Sequence, residues 1–371
     1  MDADVSSRIN LMRLLLISGI VFVHVPYDPQ TSPFLGTYGM FDWLRIFLGD
    51  SLFRVGVPCL SAISGFLLFR RGLDGFDYAR TTRSKAMTVL VPFLIWNLSF
   101  LLLVYLGQRN GIGFGYVPDV VGASWRDLAS HAFALEAWPI NVPLYFLRDL
   151  LLCLLLSPAL GFLVMRFPGL TLAVLLAYAV LPVPNGIFLK KSILFGFSIG
   201  IYAALHKVDI KRFDSQAGLV FTIVLAISVA LATALYQYGP EFPVWLETAR
   251  SLAALTGILG AWCLSALLTG SRFAKALSKG GGLSFWIFCA HYPLLVVAWM
   301  VWNRSGLDFY PLFYITAPVL VLIATVLSNA VVKRTMPQLY GLLTGSRSKS
   351  GKVPPRREAP GKQANYTPQE R

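Results

Sequence analysis

Two ionisable residues stand inside the first apolar run of the chain, Arg13-Leu-Leu-Leu-Ile-Ser-Gly-Ile-Val-Phe-Val-His24. In hydrocarbon a charge or an imidazole is costly unless it is paired or faces a watery cavity, so each is a functional candidate. They are eleven residues apart, close to three helical turns, and so share one face about 16 Å apart along the axis. That is too far to touch, but it suits the two ends of one channel. Arg80 and Arg83 form a second pair on one helical face. Two guanidinium forks side by side match phosphate oxygens bidentately, which lysines do not.

Taken singly, each feature has a plainer reading. His24 also fits a structural histidine bonded to a neighbouring helix, and Arg80 and Arg83 also fit ordinary basic flanking of a span. Together they suit a long donor with a phosphorylated head and an extended reactive arm. Acyl-coenzyme A has that shape: nucleotide at the rim, pantetheine threading inward, thioester near the histidine. Asp28 could orient His24 only if the helix continued, which Pro26 and Pro29 oppose.

The elements that must position these groups are membrane spans. Of 371 residues, 56% are hydrophobic and 13% charged, with mean hydropathy +0.64; soluble domains carry about 25% charged residues. The expected fold is an all-α polytopic membrane protein of about ten transmembrane helices with both termini cytoplasmic. The spans run roughly over 10–26, 51–69, 86–107, 142–165, 169–183, 187–205, 217–237, 245–269, 282–302 and 310–332. Basic residues set the orientation: Arg8, the 70–85 turn, Arg166, Lys207, Lys211, Arg212, Arg272, Lys275, Lys279, Lys333 and Arg334 all fall inside. Lys190 and Lys191 violate the rule, near the outside, and Arg45, Arg109, Arg126 and Arg304 are scattered exceptions. Residues 1–344 form one transmembrane domain, and 345–371 form a basic cytoplasmic tail expected to be disordered. The net charge of +14 is therefore a topology signal, and no nucleic-acid partner is implied. Cys59, Cys153, Cys263 and Cys289 lie in apolar stretches without metal-ligand spacing, so no metal site is expected.

Five stretches, in order, resemble one family. Arg13 and His24 are similar to the Arg/Lys-x10-His motif of acyltransferase family 3. Val57-Pro-Cys-Leu-Ser-Ala-Ile-Ser-Gly-Phe-Leu-Leu68 resembles its VPxFFxxSGFLL span, and Arg80-Thr-Thr-Arg83 its RxxR motif. Pro143-Leu-Tyr-Phe-Leu-Arg-Asp-Leu150 resembles its LWFLRDL stretch. Gly282-Leu-Ser-Phe-Trp-Ile-Phe-Cys-Ala-His-Tyr-Pro293 resembles GxxSYxIYLxHxP. The resemblance covers nearly all of residues 8–332. It departs at Leu60-Ser61, Tyr145 and Phe285, where the family often has Phe-Phe, Trp and Tyr; these swaps bear on the substrate rather than the reaction.

The resemblance implies a bacterial inner-membrane enzyme that acylates sugar hydroxyls from acyl-CoA, with no bound cofactor. Its compact length looks most like the subgroup that decorates exopolysaccharides, including the succinoglycan succinyltransferases. His24 would then be the general base and Arg13 the group that holds the donor or stabilises the oxyanion. Arg80 and Arg83 would clamp the CoA phosphates. Arg148, Asp149, Arg54 and His291 are candidate contacts to acceptor or acyl group; Arg148–Asp149 fits a structural pair equally, and His291 also fits a helix–helix hydrogen bond. His131 and His206 read as a loop and an interfacial residue. The acyl group, acetyl or succinyl, and the acceptor, a polysaccharide or a lipid-linked oligosaccharide, stay open. So does the choice between direct transfer and an acyl-His24 intermediate. A carrier that flips a lipid-linked or anionic precursor is the alternative, and it predicts that His24 is dispensable.

Overall fold

The computed structural model describes residues 2–73, 75–272, 274 and 282–345. Regular structure among them is helical, apart from a lone bridge between Phe114 and Val117. The helices are α1 (Ala3–Val23), α2 (Met40–Ile46), α3 (Gly56–Phe69), α4 (Tyr78–Lys85), α5 (Val91–Arg109), α6 (Trp125–Phe133), α7 (Tyr145–Leu155) and α8 (Ser157–Arg166). Then come α9 (Pro168–Val180), α10 (Lys191–Leu205), α11 (Ala217–Tyr238), α12 (Val244–Leu268), α13 (Leu283–Arg304), α14 (Tyr310–Thr335) and α15 (Pro337–Thr344). The expected basic tail, beyond Gly345, lies outside the described residues, as do Lys275 and Lys279.

Every apolar segment marked in the sequence is helical, but the helices differ in kind. Among the described residues, seven are long and apolar enough to cross a membrane: Ala3–Val23, Met40–Phe69, Tyr78–Arg109, Ile210–Tyr238, Val244–Leu268, Leu283–Arg304 and Tyr310–Thr335. This is a multi-pass membrane protein. The segment expected over 142–165 is instead a pair, α7 and α8, bent by 64° where Pro158 follows Ser157; a proline ring clashes with the carbonyl four residues back and removes a donor, which kinks or breaks a helix. Helices α9 and α10 have only 13 and 15 residues, about 20 and 22 Å at 1.5 Å per residue.

The Met40–Phe69 span is interrupted by a π-helical turn at Phe47–Ser51 and a 3₁₀ turn at Leu52–Val55. Such breaks re-aim side chains, and here they swing Phe53 and Arg54 onto the face that meets α1 and α12. Helix α1 lies at the centre, against α3, α12, α13 and α14.

Helices α3 and α10 make the closest pairing. A Cβ on Gly200 would strike the Ala62 carbonyl and one on Gly65 the Phe197 carbonyl; on Gly196 it would lie 2.5 Å from the Pro58 carbonyl. Lipid tails give no hydrophobic drive for helices to associate, so bare glycines that let backbones touch supply the packing instead. Ser61, at a position where the resembled family has Phe, donates to Ile193 O across this seam (2.6 Å). Elsewhere in the bundle, Arg8 ties α1 to the 210–216 turn and α12, through Asp214 (2.6 Å), Ser265 (3.0 Å) and the Trp262 ring (3.6 Å).

Candidate active site

Helix α1 ends at Val23, and the backbone N–H of His24 closes a tight last turn onto Val21 O (3.3 Å). This leaves Ile20 O, an orphan carbonyl of the helix end, and the His24 ring satisfies it: Nδ1 donates to Ile20 O at 3.0 Å. The bond fixes the neutral tautomer, so Nε2 carries the lone pair. Among the described residues Nε2 has no partner.

His291 sits against the other side of this ring, fully buried. Its own Nδ1 donates to Ile287 O (2.9 Å), which leaves its Nε2 as an acceptor 3.5 Å from His24 Nδ1. The ring centroids are 5.3 Å apart. An imidazole that gains a proton at Nε2 therefore has an acceptor waiting at Nδ1. Two residues on, Pro293 cannot donate to Cys289 O. The fully buried Asn141 does so instead, at 2.9 Å, and its backbone N–H donates to Asn97 Oδ1 at 3.0 Å. The His-x-Pro stretch is thus pinned to α5 and to the start of α7.

His24 opens onto a cavity of about 330 Å³. Its walls are the end of α1, the 3₁₀ turn with Arg54, the 181–190 connection with Lys190, Trp138 and Tyr145, and α12 with Glu247 and Arg250. Tyr145, where the family often has tryptophan, meets Trp138 edge-on at 4.6 Å. A base and a polar cavity can remove a proton from a hydroxyl and hold charge beside it.

The other candidates fall in three places. Arg13 is half-buried in the middle of α1 and makes no hydrogen bond or ion pair within the described residues. Because α1 is unbroken from Ala3 to Val23, the separation of about 16 Å from His24 stands. That exceeds the length of an arginine side chain, so stabilising an oxyanion formed at His24 is out of its reach.

Arg80 and Arg83 are exposed on α4 and line the same groove, about 870 Å³, between α4 and α15, with Gln338 and Gly341 across it. Lys85, two residues after Arg83 at the end of α4, lines a separate small pocket with Ser64 and Leu151.

Arg54 lines the His24 cavity and pairs with Asp50 (2.6 Å). Arg148 and Asp149 do not line it. Arg148 donates to Ala134 O (3.0 Å), to Ile187 O and to Asp149 (2.8 Å), while Asp149 accepts from the backbone N–H groups of Leu189 (3.2 Å) and Lys190 (2.8 Å). The pair ties the 181–190 connection to α7, which fits the structural pairing that the sequence left open. His291 is likewise sealed off from the cavity and acts on His24 instead. The backbone of Asp28 closes a turn with the Thr31 hydroxyl. His131 donates to Trp138 O (3.0 Å) and His206 bonds Val164 O (3.1 Å), both away from the base.

Sequence reasoning missed Lys190, Arg250, Trp138 and Asn141. Only Lys190 left a trace, as a basic residue on the wrong side for the topology.

The family model described as an acyltransferase domain, that of acyltransferase family 3, matches residues 6–332. The chain belongs to acyltransferase family 3. The five motif resemblances thus sit inside a match that spans the whole bundle. The chain is also 61% identical to the succinoglycan biosynthesis protein ExoH of Rhizobium meliloti (strain 1021), over all of both chains. That relationship agrees with the exopolysaccharide-linked subgroup of acyltransferase family 3. No solved structure matches the chain.

Proposed function

We propose that this protein is an inner-membrane O-acyltransferase that moves an acetyl or succinyl group from cytoplasmic acyl-CoA to a hydroxyl of an exopolysaccharide sugar. The observation that carries the reading is His24: Nδ1 is anchored, Nε2 is free, and the residue lines a polar cavity in a chain of this acyltransferase family. The full-length likeness to a succinoglycan biosynthesis protein supports the exopolysaccharide acceptor.

In this reading the acceptor hydroxyl attacks the thioester carbonyl carbon while His24 Nε2 takes its proton. The new C–O ester bond forms, the C–S bond breaks, and the proton passes from His24 to the departing CoA thiolate. The Nδ1–H to His291 contact strengthens as the imidazolium forms, because a charged donor makes the better hydrogen bond. Arg80 and Arg83 hold the CoA phosphates at the rim, and Arg13 draws the arm inward. In a ten-crossing arrangement with both termini cytoplasmic, that rim would lie inside and His24 towards the outer face. The lipid-linked form of the acceptor would reach the cavity from the bilayer.

The test compares envelope polysaccharide from a deletion strain, the wild type and His24→Ala with expression checked, by NMR and mass spectrometry. Loss of one acyl ester in both the deletion and His24→Ala is expected, the variant losing roughly 10²–10⁴-fold in rate. Unchanged acylation with lipid-linked precursors accumulating would overturn the enzyme in favour of a carrier.

A further inference from the structure

The charges around the His24 cavity do not balance. Arg54 and Arg250 both reach Asp50, at 2.6 and 3.3 Å, and Arg250 also holds Glu247 at 2.6 Å. Two guanidinium groups thus face two carboxylates, and Glu247 is the one carboxylate among the cavity-lining residues. Lys190 is left over. Its ammonium makes no hydrogen bond or ion pair within the described residues, although the residue is half-buried in the cavity wall. Its neighbour Lys191 differs, because that ammonium caps Leu181 O and Val183 O at 2.6 and 2.9 Å.

The backbone of Lys190 is held in place at the cavity wall. Its backbone N–H is bound by Asp149, which Arg148 fixes in turn. A second donor is unmet: Arg54 Nε is buried and has no hydrogen-bond partner. Leaving a cation and a guanidinium N–H unanswered in a membrane-embedded cavity is costly. The arrangement answers to a monovalent anion that arrives with the substrate.

We propose that Lys190, with Arg54, binds the free carboxylate of a dicarboxylic acyl group whose activated carbonyl lies at His24. The inference rests on the acyltransferase reading above and chooses between its two acyl groups. The reacting carbonyl must sit at His24, and in a short dicarboxylic acyl chain the second carboxylate follows only a few bonds later. It therefore falls within the same small cavity as the surplus cation. An acetyl group leaves that cation unpaired, so the pocket discriminates against it by the logic of an unsatisfied buried group.

The test uses membranes carrying the full-length protein, with succinyl-CoA or acetyl-CoA as donor and a neutral or a carboxylated oligosaccharide as acceptor. The readout is the ratio of succinyl to acetyl transfer. Lys190→Gln should lower this ratio roughly 10- to 100-fold, the worth of one hydrogen bond to a charged group, and Lys190→Arg should restore most of it. Retained acetyl transfer shows that Lys190→Gln still folds; where wild type transfers succinyl alone, Lys190→Arg serves as that control. An equal fall with both donors, or an unchanged ratio, overturns the proposal. A loss that follows the acceptor's charge instead assigns the carboxylate to the sugar and overturns it too. No transfer by wild type from either donor is a separate failure, that of the acyltransferase reading itself.

Discussion

At the scale of single residues, the base is prepared by its neighbours' hydrogen bonds more than by its own position. His291→Ala removes the acceptor beside His24 Nδ1 and should slow acyl transfer about tenfold, the value of one neutral hydrogen bond. The fall should appear in kcat rather than in the KM for acyl-CoA, and His291→Asn, which keeps an acceptor, should recover part of it. Equal loss in both variants, or a change in KM alone, would count against the orienting role. Arg148 and Asp149 behave differently. Asp149→Ala strands a partly buried guanidinium and should cost about 3–5 kcal/mol of stability, read as a lower melting temperature in detergent. Arg13 and His24 were legible because two ionisable groups in an apolar run stand out against lipid. Lys190 was not, because the residues that share its cavity lie on segments far away in sequence: Arg54 and Arg250 come from two other spans. Nor could adjacent letters reveal that Asp149 would turn to the backbone of Leu189 and Lys190.

At the scale of elements, apolar run lengths found the long apolar helices, since a backbone in hydrocarbon has no other way to satisfy its polar groups, but not the short α2, α6 and α15. They did not find the break between α7 and α8, where Pro158 sits inside an unbroken apolar run. They also missed the π and 3₁₀ turns that precede α3, which composition does not mark. The glycine seam between α3 and α10 is the element-level weak point. Gly200→Val would drive a side chain into the Ala62 carbonyl, and overpacking of this kind costs typically about 1–3 kcal/mol, occasionally more. Because α10 begins beside Lys190, the substitution should reduce activity along with folded yield. Gly169→Ala, with open space around it, should change neither; fluorescence-detected gel filtration and the transfer assay together check both.

At the scale of the whole molecule, the line proposed for the donor runs from the arginine groove past the half-buried Arg13, which lines neither pocket, to the His24 cavity. If that line carries the donor, Arg80→Ala and Arg83→Ala should each raise the KM for acyl-CoA several-fold to about tenfold with kcat nearly unchanged, the signature of lost uniform binding. Titrating initial rates against acyl-CoA separates this from a folding defect, which lowers the amplitude alone. The two short helices have a further consequence. At about 20 and 22 Å, α9 and α10 fall well short of a hydrocarbon core about 30 Å thick, and the connection between them forms one wall of the cavity. The surrounding lipids must thin there, or water must follow the connection inward. The protein is thereby coupled to the thickness of its own solvent. Reconstituted in bilayers of increasing acyl-chain length, it should lose turnover as the leaflet closes over the mouth of the site, so that the cell's choice of fatty acids becomes a control on how much polymer is decorated.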